Sequence, residues 1–362
     1  MPRKGDPQGI GVRLTGTPTK ALTGVRSALL TWYDGNGRDL PWRRRKGRAD
    51  PYKVWLSEVM LQQTVAAAVK PYFARFLELW PTVEALAAAP REDVLREWAG
   101  LGYYARARNL HEAAKALAAG GFPKDESGWR ALPGVGAYTA AAIAAIALEQ
   151  PANVVDGNVE RVMARLFAVE TPLPDAKAQL LQIAGQFVTK DRPGDWAQAL
   201  MDLGATVCTP KSPSCRECPV ARWCKAREMG MPTRYPLKRA KAPKPHRYGV
   251  AFWIEAGGLV ALTRRPDDGL LGGMLALPST PWREEPWTIE EVYAIAPGRR
   301  RRWVQRGAVE HVFTHFTLTL SVWLHDSGVS AAGLKYRPIK DLDRIGLPTV
   351  FRKAADRARG GV

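Results

Sequence analysis

Residues 132–140 read LPGVGAYTA: a Pro-Gly pair, a second glycine two residues on, then an alanine-rich run that begins around Tyr138. A hydrophobic-Pro-Gly-hydrophobic-Gly turn just before a helix lets backbone N–H groups converge where no side chain intervenes, and the helix dipole there favours an anion. Gly134 and Gly136 are therefore candidate contacts for a phosphate, with an ordinary Pro-Gly turn as the alternative reading. Around this turn, from Leu22 to Arg227, apolar residues recur at spacings of three and four with few β-branched runs, which predicts an all-α region. Asp50 and Pro51 read as the N-cap and first residue of a helix running on into DPYKVWLSEVMLQQTVAAAVKPYFARFLELW. PANVVDGNVERVMARLF breaks at Pro151 and resumes as a helix with a buried stripe of Val159, Val162, Met163, Leu166 and Phe167.

The chain of 362 residues is too long for one ordinary core and predicts two domains. Lys and Arg number 53 against 35 Asp and Glu, giving a formal charge of +18, so a polyanion is the natural partner and nucleic acid the leading one. The charge gathers beside aromatics, in Trp42-Arg43-Arg44-Arg45-Lys46 and in Arg299 to Arg302 followed by Trp303. No stretch approaches the ~20 consecutive apolar residues of a membrane span, and the start MPRKGDPQGI lacks the apolar core of a secretory signal. The expectation is an intracellular protein with no membrane partner.

Residues 1–20 read as a basic tail, and 227–246, rich in proline and positive charge, as a linker. Beyond it, YGVAFWIEAGGLVALTRR and HVFTHFTLTLSVWL are strand-like, so a second domain over 247–358 is expected to be α/β or α+β. In the latter segment Phe316, Leu318, Leu320, Val322 and Leu324 alternate onto one apolar face, which assigns His311, Phe313 and His315 to the other.

All four cysteines lie in one short segment, Cys208-x6-Cys215-x2-Cys218-x5-Cys224. Structural zinc sites usually pair two C-x2-C units across a longer gap, and four thiolates also fit a four-iron four-sulfur cluster. The tight clustering and the expected location disfavour disulfides. Lys211, Arg216, Arg222 and Lys225 would turn positive charge outward from this loop.

The hairpin, the acid in VVDGN and the cysteine spacing, in this order, resemble the helix-hairpin-helix DNA glycosylases that carry an iron-sulfur cluster. Within them SEVMLQQT (57–64), GLGYYARARNLH (100–111), LPGVGAYTA and VVDGNVERV (154–162) resemble the MutY adenine DNA glycosylases. The likeness extends to the second domain through GLLGGMLALP (269–278) and HVFTHF (311–316). It implies a multidomain architecture: an all-α helix-hairpin-helix glycosylase domain over 21–226 with a cluster loop at 208–224, then an α+β Nudix-like recognition domain. It also implies one 4Fe-4S cluster on Cys208, Cys215, Cys218 and Cys224. The expected partner is double-stranded DNA with adenine opposite 8-oxoguanine or guanine, and the expected state a monomer in the bacterial cytoplasm, associated with the nucleoid.

The resemblance also assigns roles. The related endonuclease III enzymes carry a lysine at the Tyr138 position, whose amine forms a Schiff base; tyrosine cannot, so water ends up on the sugar. Glu58, on an apolar helix, would be the general acid that protonates adenine at N7, and Asp156, near a helix N-terminus, would steady the sugar cation. Asn158 and Tyr138 would support Asp156 and the nucleophile. Gln63 maps onto a wedge at the lesion, Tyr103 onto a side chain beside the opposing base, and Trp42 and Arg43 onto the adenine pocket. Phe313, Thr314 and His315 map onto the loop that reads 8-oxoguanine, with Thr314 where the family has serine.

A Nudix hydrolase needs an acidic metal-binding helix after its Gly-rich turn, whereas PWREEPWTIEEV places Pro286 inside it, so this domain is expected to read without hydrolysing. Two other readings stand beside the main one. The first is a glycosylase for another mismatched base, such as thymine or uracil opposite guanine. The second is a non-catalytic iron-sulfur DNA-binding protein.

Overall fold

The computed structural model describes residues 19–44, 48–240, 242–298, 303–325 and 333–361. The basic tail up to residue 18, Arg45 and Lys46, and the Arg299–Arg302 run lie outside the described residues. The helices in chain order are α1 (Thr19–Asn36), α2 (Pro51–Leu61), α3 (Ala66–Leu79), α4 (Val83–Ala88), α5 (Arg91–Glu97), α6 (Ala105–Gly120), α7 (Glu126–Arg130), α8 (Ala137–Ile146), α9 (Gly157–Leu166), α10 (Lys177–Gly185), α11 (Pro193–Asp202), α12 (Lys225–Glu228), α13 (Ile289–Ile295) and α14 (Thr349–Ala358). The strands are β1 (His246–Ala256), β2 (Leu259–Arg264), β3 (Leu275–Ala276), β4 (Val304–Val312), β5 (Thr317–His325) and β6 (Lys335–Pro338). Among the described residues no helix is long and apolar enough to cross a membrane.

The chain divides into two compact units, the first made of residues up to 62 and 120–240, the second of 63–119 and 241–362. In the first, most of the stripe predicted for α9 is observed: Val159, Val162, Met163 and Leu166 are buried and pack with Leu29, Leu180, Phe187, Trp196 and Leu200, while Phe167, at the C-cap beyond the last helical residue, is only partly buried. A hydrophobic face of this kind supplies most of a helix's stability, since isolated helices of ten residues are marginal in water. The α2 helix begins as read, with Pro51 first and the Asp50 carboxylate accepting from the Tyr52 N–H. It stops ten residues on, at Leu61, where the sequence reading carried one helix onward. Gln63 takes a left-handed backbone (φ 57°) and breaks the hydrogen-bond ladder between α2 and α3.

The segment read as a linker is fastened to the first unit for much of its length. Tyr235 is buried, its carbonyl accepts from the Arg165 guanidinium, and Leu173 and Leu237 pair through their backbones.

In the second unit a mixed sheet runs in the order β3-β2-β1-β5-β4, with β6 on β2. At its centre β1 and β5 pair in parallel from His246–Thr317 to Ile254–His325. One face packs on α14 through Leu318, Leu320, Val322, Val350 and Phe351; the other buries Phe252, Ile254, Val292 and Trp303. The alternation expected for 316–322 therefore holds. The assignment of Phe313 to the opposite face does not. His311 and Val312 close β4, the chain turns at 313–316, and there strict alternation ends: Phe313 packs against Phe316 and Trp282 as tilted rings with centroids at 4.8 and 5.4 Å.

Candidate active site

Four elements of the first unit bring the catalytic candidates together. Glu58 lies on α2, whose residues from Val54 to Met60 are all buried, and its side chain is 5% exposed. Tyr138 enters at the start of α8. The turn before it is built as the glycines require, with Gly134 at φ 74° and Gly136 at the N-cap with no side chain over the helix end. Asp156 is the N-cap of α9; its carboxylate accepts from the backbone N–H groups of Asn158 (2.9 Å) and Val159 (2.8 Å) and from Asn158 Nδ2 (2.7 Å). The fourth element is the 40–43 segment, which carries Arg43.

The electrostatics single out Glu58. Burial pushes Glu58 up to about 7; the Tyr138 hydroxyl and the Arg43 charge oppose the rise, and the nearby Asp156 adds to it. Its Oε2 is buried with no hydrogen-bond partner. Tyr138 is driven well above the usual phenol value, first by burial and then by Glu58 and Asp156. It stays a neutral O–H, placed between Glu58 and Met201 Sδ, the latter at 3.3 Å.

A second tier fixes these groups, and sequence reasoning missed it. Asp202, fully buried at the end of α11, accepts from Arg43 at 2.6 and 2.8 Å and from the Arg38 side chain and backbone at 2.6 and 2.8 Å. Burial works to raise Asp202, yet the two arginines more than offset it and hold it below the usual carboxylate range. Arg161 donates to Asn158 Oδ1 (2.9 Å) and to the carbonyls of Gly204 (2.6 Å) and Cys208 (2.8 Å), so it ties the Asp156 cap to the cysteine loop. The available signal was a lone Asp inside the apolar run QALMDLGATV. Trp42 is a core residue, 6% exposed, while Arg43 is turned onto Asp202 beside Glu58.

Cys208, Cys215, Cys218 and Cys224 are free thiols that line one pocket with Arg165, Val207 and Pro213. Among the described residues no three His, Cys, Asp or Glu side chains are gathered as a single metal ion needs. Burial pushes the Cys218 thiol up to about 12 and raises Cys224, so thiolates in this pocket need a cationic partner.

The recognition candidates belong to the second unit. Gln63 (φ 57°) and Tyr103 (φ 48°) are both exposed and both left-handed, a conformation costly for side chains of their size. Arg106 lies over the Tyr103 ring at 5.4 Å and reaches the Thr64 hydroxyl at 3.4 Å. The hydroxyls of Tyr103 and Thr314 are 2.7 Å apart. Phe313 is half-buried under Trp282, whereas Thr314 and His315 are exposed. The acidic-helix expectation also has its structural reason: α13 starts only after Pro286, and Glu291 is taken up by Arg283 and by the Thr288 capping box.

Residues 56–185 match the HhH-GPD superfamily of base excision DNA repair proteins, and 249–357 match the NUDIX domain. The chain is 41% identical over 302 residues to the adenine DNA glycosylase of Arabidopsis thaliana, covering 72% of this chain and 48% of that protein. It is 31% identical to the adenine DNA glycosylase of Buchnera aphidicola subsp. Schizaphis graminum over 90% of this chain and 96% of the other. Among solved structures, a thermostable thymine-DNA glycosylase aligns with TM-score 0.52 and 30% identity over 58% of this chain and 98% of its own. With a relative matched across nearly its whole length and both domains identified, the chain belongs to the adenine DNA glycosylases, base excision repair enzymes of the HhH-GPD superfamily with a C-terminal Nudix domain.

Proposed function

We propose that this enzyme hydrolyses the N-glycosidic bond of adenine mispaired with 8-oxoguanine, or with guanine, in double-stranded DNA inside the cell, acting as a monomer. The observation that carries the reading is the buried Glu58, pushed up to about 7 and holding one unpartnered oxygen, next to an Asp156 whose three N–H donors face a negative charge. Glu58 gives its proton to N7 of the extruded adenine, which turns a poor leaving group into a neutral base as the bond to C1′ breaks. The sugar is left with oxocarbenium character, and the Asp156 carboxylate steadies it. Water adds hydroxide to C1′, and its proton returns to Glu58. Tyr138, neutral and without an amine, offers no Schiff-base route and helps position the acid.

The four cysteines would hold a 4Fe-4S cluster, which supplies a fixed frame for the loop that carries Lys211, Arg216, Arg222 and Lys225 toward DNA phosphates. The pocket that the four thiols line together supports this reading. Gly134 and Gly136 would bind a phosphate, Gln63 and Tyr103 would enter the stack at the mispair, and Phe313, Thr314 and His315 would read the 8-oxoguanine.

The rival base is thymine opposite guanine, favoured only by the likeness to the thymine-DNA glycosylase. A panel of duplexes containing adenine opposite 8-oxoguanine, adenine opposite guanine, or thymine opposite guanine, treated with enzyme and then alkali, separates the readings. Strand cleavage at adenine, fastest opposite 8-oxoguanine, is the expected result; cleavage at thymine, or none, overturns it.

A further inference from the structure

The Gly-rich turn between β2 and β3 is met by side chains of α5 and α6 in the same unit. Arg91, first residue of α5, places both guanidinium ends on the Asp267 carboxylate at 2.8 and 3.0 Å. Its neighbour Glu92 accepts from Arg264 at 2.6 Å, so two adjacent residues of α5 make oppositely directed ion pairs with one turn. From α6, Arg108 donates to the Gly272 carbonyl at 2.5 Å. Gly273 (φ 73°) closes the arrangement: a Cβ there would stand 2.9 Å from the Asp267 carboxylate and 3.4 Å from the Arg91 guanidinium. Elsewhere in the same unit the loop joining α5 to α6 puts the Tyr103 hydroxyl 2.7 Å from that of Thr314.

Pairs as exposed as these add little to stability, since solvent screens them and ordering two long side chains costs entropy. What a bidentate arginine with a second, reversed pair beside it does supply is register, because the planar fork accepts one approach direction. The turn and the loop share a neighbour: Arg265 lies over the Trp282 ring at 5.1 Å, and Trp282 packs against Phe313 with ring centroids at 5.4 Å.

We propose that the 264–273 turn is a docking element, and that Arg91 and Asp267 are positioning residues for discrimination of the base opposite adenine. They set the loop that carries Thr314 against Tyr103. This rests on the reading of 313–315 as the damage-recognition loop.

The test is a charge-swap cycle in the full-length protein: Arg91→Asp, Asp267→Arg and the double variant. The readout is the ratio of single-turnover excision rates for adenine opposite 8-oxoguanine and adenine opposite guanine. Each single variant is expected to lower that ratio by about three- to tenfold, and the double to restore it to within about twofold of wild type, as coupled neighbours do. Asp267→Asn, which keeps the shape and removes the charge, should fall in between and serves if a reversal fails to fold in a thermal melt. An unchanged ratio in the single variants and in Asp267→Asn, or a double variant no better than the singles, overturns the proposal. A Phe313→Ala, Thr314→Ala, His315→Ala protein is run alongside. If that triple variant narrows the ratio while the swaps do not, the docking role alone fails; if it too leaves the ratio unchanged, the underlying reading of the loop fails.

Discussion

Arg43 and Asp202 form a largely desolvated pair: the two guanidinium ends reach the two carboxylate oxygens, at 2.6 and 2.8 Å, the Arg43 side chain is 8% exposed and the Asp202 side chain is wholly inaccessible to solvent. Because Arg43 also acts on Glu58, the pair governs how much positive charge the acid feels. Asp202→Asn should therefore do two things. It leaves Arg43 buried with its charge unbalanced, at a cost of about 3–5 kcal/mol, and it pulls the Glu58 value down, so that excision at pH 7 slows and the pH profile moves to lower pH. Chemical denaturation and a pH–rate profile check both; a variant with wild-type stability and profile would show that the pair is idle.

Asp156→Asn removes the charge proposed to face the developing sugar cation but keeps an acceptor for the α9 N-terminus. Single-turnover excision should fall by at least about 10²-fold, with binding to the mispaired duplex changed much less and a thermal midpoint near that of wild type. Asp156→Ala should lose the cap as well, at about 1 kcal/mol. Equal losses of binding and rate would assign Asp156 to the cap alone.

Purified without oxygen, the protein should be brown and contain about four irons per chain if Cys208, Cys215, Cys218 and Cys224 hold a four-iron cluster. Cys215→Ser should lose iron and lower affinity for DNA, measured by anisotropy at fixed salt. Stoichiometric zinc with no iron would contradict this.

Removing the Nudix domain should narrow the preference for 8-oxoguanine while adenine excision persists. The cut belongs near Ala240 and not at Pro232, because Tyr235 fills the core under Arg165 and Leu237 pairs with Leu173. A fragment ending at Pro232 should be markedly less stable than one ending at Ala240, as seen in melting temperature, since truncating a buried aromatic costs about 3–5 kcal/mol. Equal stability of the two fragments would show the 233–240 segment to be dispensable.

Local chemistry was the most legible part of the sequence. The Asp50-Pro51 start of α2, the Pro-Gly turn before α8, the cap at Asp156 and the α9 stripe each depend on residues within a few positions of one another, and each is observed. The α2–α3 break was not legible, because Gln63 takes a left-handed backbone without the glycine or proline that would mark it. Nor was Asp202, whose partners Arg38 and Arg43 lie 164 and 159 residues away. The Phe313 face was misread because a period of two describes a strand and says nothing about the turn that interrupts it. Arg91 and Asp267 were silent for the same reason as Asp202: an ion pair 176 residues apart leaves no local pattern.

If Glu58 works as a buried acid, its protonation is the most direct thing to measure. Its value is raised from 4.5 to about 7 in the folded protein, so the native state holds a proton there that the unfolded chain releases. Stability from this group is therefore full below about 4.5 and is lost as pH rises from there to about 7, whereas the protonated form of the folded enzyme falls away as pH rises through about 7. Single-turnover excision of adenine opposite 8-oxoguanine, followed from pH 5.5 to 9 with enzyme in excess, should be level at the acid end and fall about tenfold per pH unit once above the bend near 7. Glu58→Gln should be slower by about 10² to 10⁴ throughout and show no bend. A wild-type rate that is flat across this range, or a Glu58→Gln protein that excises adenine at the wild-type rate, would contradict the assignment.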